Sequence, residues 1–226
     1  MKTFVIGDVH GGYKALLQCL KRSNFDYDKD KLICLGDIAD GWPDTVECFE
    51  ELFKIKNLIY VIGNHDVWLL DWLATGARPV IWIMQGGEAT LSSYFKNGDP
   101  KTWNKHRDLL NKAPYYYIDD KKRCFVHGGV SQKGTPIEEC HNQFLSWDRE
   151  LWDNRHNLKT IKEFKEVYVG HTSIWNLSKY PANYKNVWFL DTGGGWEGKL
   201  TIMNVDTKEF WQSDKVSNLY PGVHGR

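Results

Sequence analysis

Thr3-Phe4-Val5-Ile6-Gly7-Asp8-Val9-His10-Gly11-Gly12 begins as a short apolar run and ends on an Asp and a His bordered by glycines. The pattern returns four times. Leu32–Leu35 runs into Gly36-Asp37-Ile38-Ala39-Asp40-Gly41, and Leu58–Ile62 into Gly63-Asn64-His65-Asp66. Cys124–Val126 runs into His127-Gly128-Gly129, and Val167–Val169 into Gly170-His171-Thr172. Short apolar runs bounded by turn residues read as buried strands. Ligands of an open α/β sheet collect at the carboxyl ends of its strands. Five such ends, all offering oxygen or imidazole donors, therefore predict one site assembled by a sheet. Asp, Asn and His are the donors of a hydrolytic pair of metal ions.

Around these motifs the first third alternates strand and helix. Gly12–Arg22 places Tyr13, Leu16, Leu17 and Leu20 at helical spacing, and Asp44–Lys54 does the same with Val46, Phe49, Leu52 and Phe53. That order predicts a parallel sheet with right-handed crossovers. Residues 76–118 break the rhythm with Gly76, Pro79, Gly86-Gly87, Pro100 and Pro114, and predict a mostly helical, aromatic-rich insert that caps or flanks the site. The tail carries Val167–Val169, Val187–Leu190, Leu200–Val205 and Phe210–Gln212, closely spaced strands that suggest a second sheet packed on the first. The expectation is an α/β chain forming one domain over residues 1–226.

The 29 basic and 29 acidic residues cancel. This gives no electrostatic reason to expect a nucleic-acid backbone as partner. No apolar stretch approaches the roughly 18–20 residues that span a bilayer. Five cysteines, an odd number with no CxxC pair, point to a reducing compartment. With the first strand starting almost at Met1, a cytoplasmic location is expected. The 11 Trp and 11 Tyr are read chiefly as packing residues.

The donors divide by chemistry. Asp8, His10 and Asp37 can hold one metal, and Asp37, Asn64, His127 and His171 the other, with Asp37 bridging through its two oxygens. Mixed nitrogen and oxygen ligation suits Mn, Fe or Zn and disfavours an all-oxygen Mg or Ca site. Two such ions lower the pKa of a bridging water, clamp phosphate oxygens and align the attack on phosphorus. The leaving group needs a proton. His65 follows the ligand Asn64 directly, and Asp40 can hold its other ring nitrogen, so His65 is the predicted general acid and Asp40 its orienter. Arg149 is the predicted phosphate-binding guanidinium, because a planar fork matches phosphate geometry. Arg78 and Arg123 belong to no evident site loop.

With these residues in view, the chain resembles the phosphoprotein phosphatase family of calcineurin-like metallophosphoesterases, most of all its compact bacterial and bacteriophage serine/threonine phosphatases. The motifs that carry the likeness are Gly7–Gly11, Gly36–Gly41, Gly63–Asp66, His127 and Gly170-His171, with a further similar stretch over Trp82–Tyr94. The resemblance spans about residues 3–205. It implies a four-layer fold, a central β-sandwich flanked by helices, with two divalent ions, Mn foremost, at the strand ends. It also implies the metal-ligand roles above, substrate contacts from Asn64, His65 and Arg149, and the His65–Asp40 acid pair.

Two positions depart from the family pattern. The second motif usually continues Asp-Arg-Gly, but here Asp40 is followed by Gly41 and Trp42. A phosphate-binding Arg is thereby lost, and Trp42 is a candidate to line the pocket in its place. The third motif ends in Asp66 where Glu is usual. The expected activity is dimetal-dependent hydrolysis of phosphomonoesters, on phosphorylated protein or small phosphate esters. A dinucleoside polyphosphate hydrolase is the alternative, since the aromatic insert could stack a base. A metal-binding scaffold without turnover is the third reading, and the presence of both His65 and Asp40 argues against it.

Overall fold

The computed structural model describes residues 1–226. Two five-stranded sheets face each other. The first has the order β10-β9-β1-β2-β3, built from β1 (Thr3–Ile6), β2 (Lys31–Cys34), β3 (Asn57–Tyr60), β9 (Thr201–Asn204) and β10 (Phe210–Gln212). The second has the order β4-β5-β6-β8-β7, built from β4 (Tyr116–Ile118), β5 (Arg123–Val126), β6 (Glu166–Val169), β7 (Ala182–Tyr184) and β8 (Val187–Phe189).

Strand residues alternate between two cores, as a period of two requires. Val5, Ile33, Leu35 and Val61 of the first sheet meet Phe125, Tyr168 and Leu190 of the second in the middle layer. Phe4, Ile6, Leu32 and Cys34 point the other way, beneath helices. Val126, Val167, Val169 and Val187 form a third core on the outer face of the second sheet. Strands buried on both faces need no polar side, which is why they read as continuous apolar runs.

Helices α1 (Tyr13–Arg22), α2 (Thr45–Leu52) and α3 (Asn64–Thr75) follow β1, β2 and β3. On α1, Ala15, Leu16, Cys19 and Leu20 are buried at helical spacing. Its last turn carries Lys21 and Arg22, which suit the negative end of the helix dipole. The insert forms α4 (Val80–Trp82), α5 (Glu88–Asn97) and α6 (Pro100–Lys112). The Asp99 side chain caps α6 by accepting from the Thr102 amide at 2.7 Å. Trp82, Leu91, Tyr94 and Leu110 enter the same core as α1 and α2. The insert therefore flanks the sheet as part of the helical layer. Shorter helices α7 (Asn142–Trp147) and α8 (Glu150–Asp153) lie near the second sheet, and α9 (Val216–Leu219) closes against α1.

The tail strands do not all build the second sheet. β9 pairs antiparallel with β1, through Phe4↔Asn204 and Ile6↔Ile202, and β10 pairs with β9. Of the late strands, β6, β7 and β8 join the second sheet. Cys19, Cys34, Cys48 and Cys124 are buried free thiols, and Cys140 is a partly exposed one. No helix is long and apolar enough to cross a membrane.

Candidate metal centre

Three predicted donor loops leave the first sheet after β1, β2 and β3, and two leave the second after β5 and β6. The site thus lies where the two sheets meet at one rim. Three of the five turns place left-handed backbone at the donor itself, with φ of 49° at His10, 50° at Asp37 and 60° at His171. Asp and His tolerate this region better than most side chains, and such residues cluster at functional sites. Two glycines keep the donors close. A Cβ on Gly63 would collide with Asp37 Oδ1, and one on Gly170 with Asp8 Oδ1.

Asp8, His10 and Asp37 bring three donor atoms within 4.8 Å of one another, and Asp37, His127 and His171 do the same. Asp37 belongs to both groups. Asn64 joins the second, with Oδ1 3.0 Å from His127 Nε2. Carbonyl partners fix which ring nitrogens are free. His10 Nδ1 donates to the Ala39 carbonyl at 2.9 Å and His127 Nδ1 to the Leu35 carbonyl at 2.7 Å, so each ring turns its Nε2 inward. His171 Nε2 donates to the Trp147 carbonyl at 3.0 Å, which leaves its Nδ1.

Buried Asp8 Oδ1, Asp37 Oδ2 and His171 Nδ1 have no hydrogen-bond partner. Asp37 Oδ2 lies 3.1 Å from the His127 Nε2 that also faces Asn64 Oδ1. Buried acceptors that face one another are costly unless a cation lies between them. The donor set therefore fits divalent ions of the nitrogen–oxygen type.

The electrostatics agree. Burial, then the neighbouring Asp191, pushes the Asp8 carboxyl well above its usual range. Burial acts the same way on Asp37, but His127 and His65 outweigh it and hold that carboxyl well below. Burial and then Arg226 hold His10 well below the ordinary histidine range, and burial and then His127 bring His171 down to about 3. Both rings are therefore neutral, the form that ligates metal. Burial opposes charge on His127, yet Asp37 pushes it up to about 9, so without metal a proton between His127 and Asp37 takes the place of a cation.

His65 stands beside these groups without joining either. Its Nδ1 lies 2.6 Å from Asp40 Oδ2, and its Nε2 is buried with no partner. Asp40 is held from behind. Trp82 Nε1 donates to its two oxygens at 2.9 and 2.8 Å, and Thr90 Oγ1 donates to Oδ1 at 2.8 Å. Burial still leaves the Asp40 carboxyl raised. Arg149 Nε lies 3.2 Å from His171 Nε2. That nitrogen also faces the Trp147 carbonyl, and the terminal nitrogens of Arg149 make no hydrogen bond or ion pair within the chain. Arg149 lines a cavity of about 580 Å³ with His171, Trp175, Trp196 and Arg226. Trp42 also touches this cavity, but it is buried, stacks on Tyr220 and donates its indole N–H to the Gly194 carbonyl at 2.8 Å. Arg123 is tied to Asp119 and Asp206, and Arg78 lies over Phe95, so neither reaches the site.

Residues 1–207 match the family model described as calcineurin-like phosphoesterase. The chain belongs to the calcineurin-like phosphoesterase family. It is 34% identical over 210 residues to serine/threonine-protein phosphatase 1 of Salmonella typhimurium, covering 89% of this chain and 91% of that one. It is also 41% identical over 265 residues to a symmetrical bis(5'-nucleosyl)-tetraphosphatase of Cellvibrio japonicus, covering 92% and 96%. A solved structure provisionally named a diadenosine tetraphosphatase superposes with a TM-score of 0.70 at 16% identity, covering 93% and 92%, and shows the same fold.

Four residues of this phosphoesterase site escaped the sequence reading. Asp66 is buried and accepts from the backbone amides of Gly63, Asp37, Ile38 and Ala39 at 3.0, 2.7, 3.0 and 3.3 Å. It braces the second motif against the third. Asp191 is buried next to Asp8. Its signal was present, since Val187–Leu190 is an apolar run followed by Asp191-Thr192 and three glycines. Trp82 and Thr90 carried no signal for holding Asp40, because that contact spans 42 and 50 residues.

Proposed function

We propose that this chain is a two-metal phosphomonoesterase of the serine/threonine protein phosphatase type. The observation that carries the reading is the pair of donor groups sharing Asp37, with His65 poised beside both. Asp8, His10 and Asp37 would hold one ion, and Asp37, Asn64, His127 and His171 the other. When bound, the ions supply an acidified water and polarise the phosphoryl oxygens.

The chain's own side chains do the rest. His65 donates the Nε2 proton to the leaving oxygen, and Asp40 stabilises the imidazolium that carries it. Trp82 and Thr90 keep Asp40 from rotating away. Asn64 and Arg149 orient the phosphate, the latter with paired N–H donors. Mn²⁺ is the ion we expect, and phosphorylated protein or a small phosphate ester the substrate. The test is hydrolysis of p-nitrophenyl phosphate and of a phosphoserine peptide by protein loaded with Mn²⁺, Fe²⁺, Zn²⁺, Ni²⁺ or Co²⁺. Inactivity with every metal would sink the reading.

A second reading has its own support. Trp175 and Trp196 line the cavity beside Arg149 and offer faces on which a base can stack. The relative from Cellvibrio japonicus is named for a dinucleoside tetraphosphate substrate. Faster turnover of diadenosine tetraphosphate than of phosphopeptide would favour this substrate class over the first.

A further inference from the structure

Gly41, where the sequence pattern has no side chain, is not followed by empty space. Its φ is 98°, in the left-handed region that disfavours any residue with a Cβ. Gly86 sits against it with φ of 97°, and the Gly41 amide donates to the Gly86 carbonyl at 3.2 Å. A Cβ added to either glycine would lie 3.3 Å from Cγ of Arg226. The two glycines form a slot, and the stem of the last residue of the sequence runs along it.

Arg226 is brought there by specific contacts. Gly225 lies on the indole of Trp42, so closely that a Cβ would stand 2.9 Å from Cζ2. The Arg226 amide donates to the Gly195 carbonyl at 2.9 Å, and Nη2 donates to Gln85 Oε1 at 3.1 Å. Nη1 then reaches His10 Nε2 at 3.2 Å. Arg226 Nε is buried with no partner. The residue lines the same cavity as Arg149. Each guanidinium thus touches a histidine of a different donor group: Arg226 beside His10, Arg149 beside His171.

We propose that Arg226 is a substrate-binding residue, the second guanidinium of a two-arginine clamp for a tetrahedral phosphate. This rests on the phosphohydrolase reading above. His10 Nε2 has one lone pair, so an ion at His10 and the Arg226 N–H cannot share it. An ion held by His10 would displace the guanidinium from that nitrogen and leave two positive groups at short range. An anion between them is the arrangement that relieves the repulsion. A phosphate dianion supplies oxygens to both, and Arg149 meets it from the side of His171. Trp42 acts as the bed that carries Gly225 and Arg226.

The test compares wild type, Arg226→Ala and Arg226→Lys, each loaded with Mn²⁺. Calorimetric titration with inorganic phosphate gives Kd, p-nitrophenyl phosphate gives KM and kcat separately, and elemental analysis gives bound Mn. Arg226→Ala should weaken phosphate and raise KM by about 10- to 100-fold, with two Mn retained. Arg226→Lys should recover part of the loss, and free guanidinium should rescue the Ala variant. Phosphate Kd and KM within twofold of wild type would overturn the proposal. Tighter Mn binding in Arg226→Ala with unchanged KM would also overturn it, and would make Arg226 a competitor for the ion. If wild type hydrolyses no ester, the phosphohydrolase reading falls, while the phosphate Kd still decides the role of Arg226.

Discussion

His65 Nδ1 stands 2.6 Å from Asp40 Oδ2, and both side chains are fully buried. Asp40 spends its remaining acceptor capacity on Trp82 and Thr90. The proton on Nδ1 is therefore fixed, and Nε2 is the one nitrogen of His65 that can exchange a proton with substrate. If His65 is the acid, His65→Asn should lower kcat by about 10²- to 10⁴-fold. Neither donor group includes His65, so bound metal should be unchanged. Elemental analysis beside steady-state kinetics checks both, and loss of an ion would move His65 into the ligand set.

Trp82 tests the same relay from behind. Its ring is fully buried and packs in the helical core, so Trp82→Phe keeps most of the apolar contact and removes the N–H. Asp40 then loses a buried donor, at a cost of about 1–3 kcal/mol in stability. Turnover should fall by about 10-fold, with KM little changed, by comparison with other outer-shell partners. Denaturant unfolding and kinetics together decide this. A variant with full activity would show that the indole N–H is not needed to position Asp40.

The predicted donors were legible because each motif is local. Asp8, Asp37, Asn64, His127 and His171 all follow their strands within a few residues, so one pattern found them all, and the structure brings them together. Asp66 and Asp191 were as local but were not read as parts of the site, the first because it looked like a variant Glu. Sheet membership was harder. Leu200–Val205 reads as a strand, but nothing local says that it pairs with Phe4 nearly 200 positions earlier. β4 and β7 are three-residue strands at the two edges of the second sheet with no fully buried residue, so neither stands out as an apolar run. Arg226 lies outside any motif, and its place depends on a slot made by Gly41 and Gly86, far away in sequence.

Gly41 gives a stability prediction. Replacing it with Ala puts a Cβ at φ of 98° and 3.3 Å from the Arg226 stem. The left-handed conformation alone costs about 1–2 kcal/mol. Gly41→Ala should therefore lower the unfolding free energy by that amount or more, read from chemical denaturation. Unchanged stability would mean that residue 41 can leave the left-handed region and that the slot is not rigid.

The thiols report on the cores. Burial pushes Cys19 up to about 12 and holds Cys34, Cys48 and Cys124 well above the ordinary thiol range. All four stay protonated and enclosed at pH 8, and a protonated thiol is a poor nucleophile. In native protein, a chromogenic disulfide reagent at pH 8 should label Cys140 alone, and all five after unfolding. Fast labelling of Cys34, which lies in β2 two residues before Gly36, would show that the rim of the first sheet opens.

Asp37 should be the one residue whose loss removes both ions. It is shared by the two donor groups, whereas His10 belongs to one and His171 to the other. His10→Ala and His171→Ala should each leave one tightly bound Mn and lose hydrolytic turnover, because two-ion chemistry needs both. Asp37→Ala should bind none with comparable affinity. Binding to the folded state adds stability, about 2.7 kcal/mol per site when the free ion is at 100 times its Kd. Chelation should therefore lower the Tm of wild type, lower it less in the two histidine variants, and leave Asp37→Ala unmoved. Metal stoichiometry and calorimetric Tm, with and without chelator, give the comparison. A single Mn retained by Asp37→Ala would mean that one group is complete without it and that the carboxylate does not bridge.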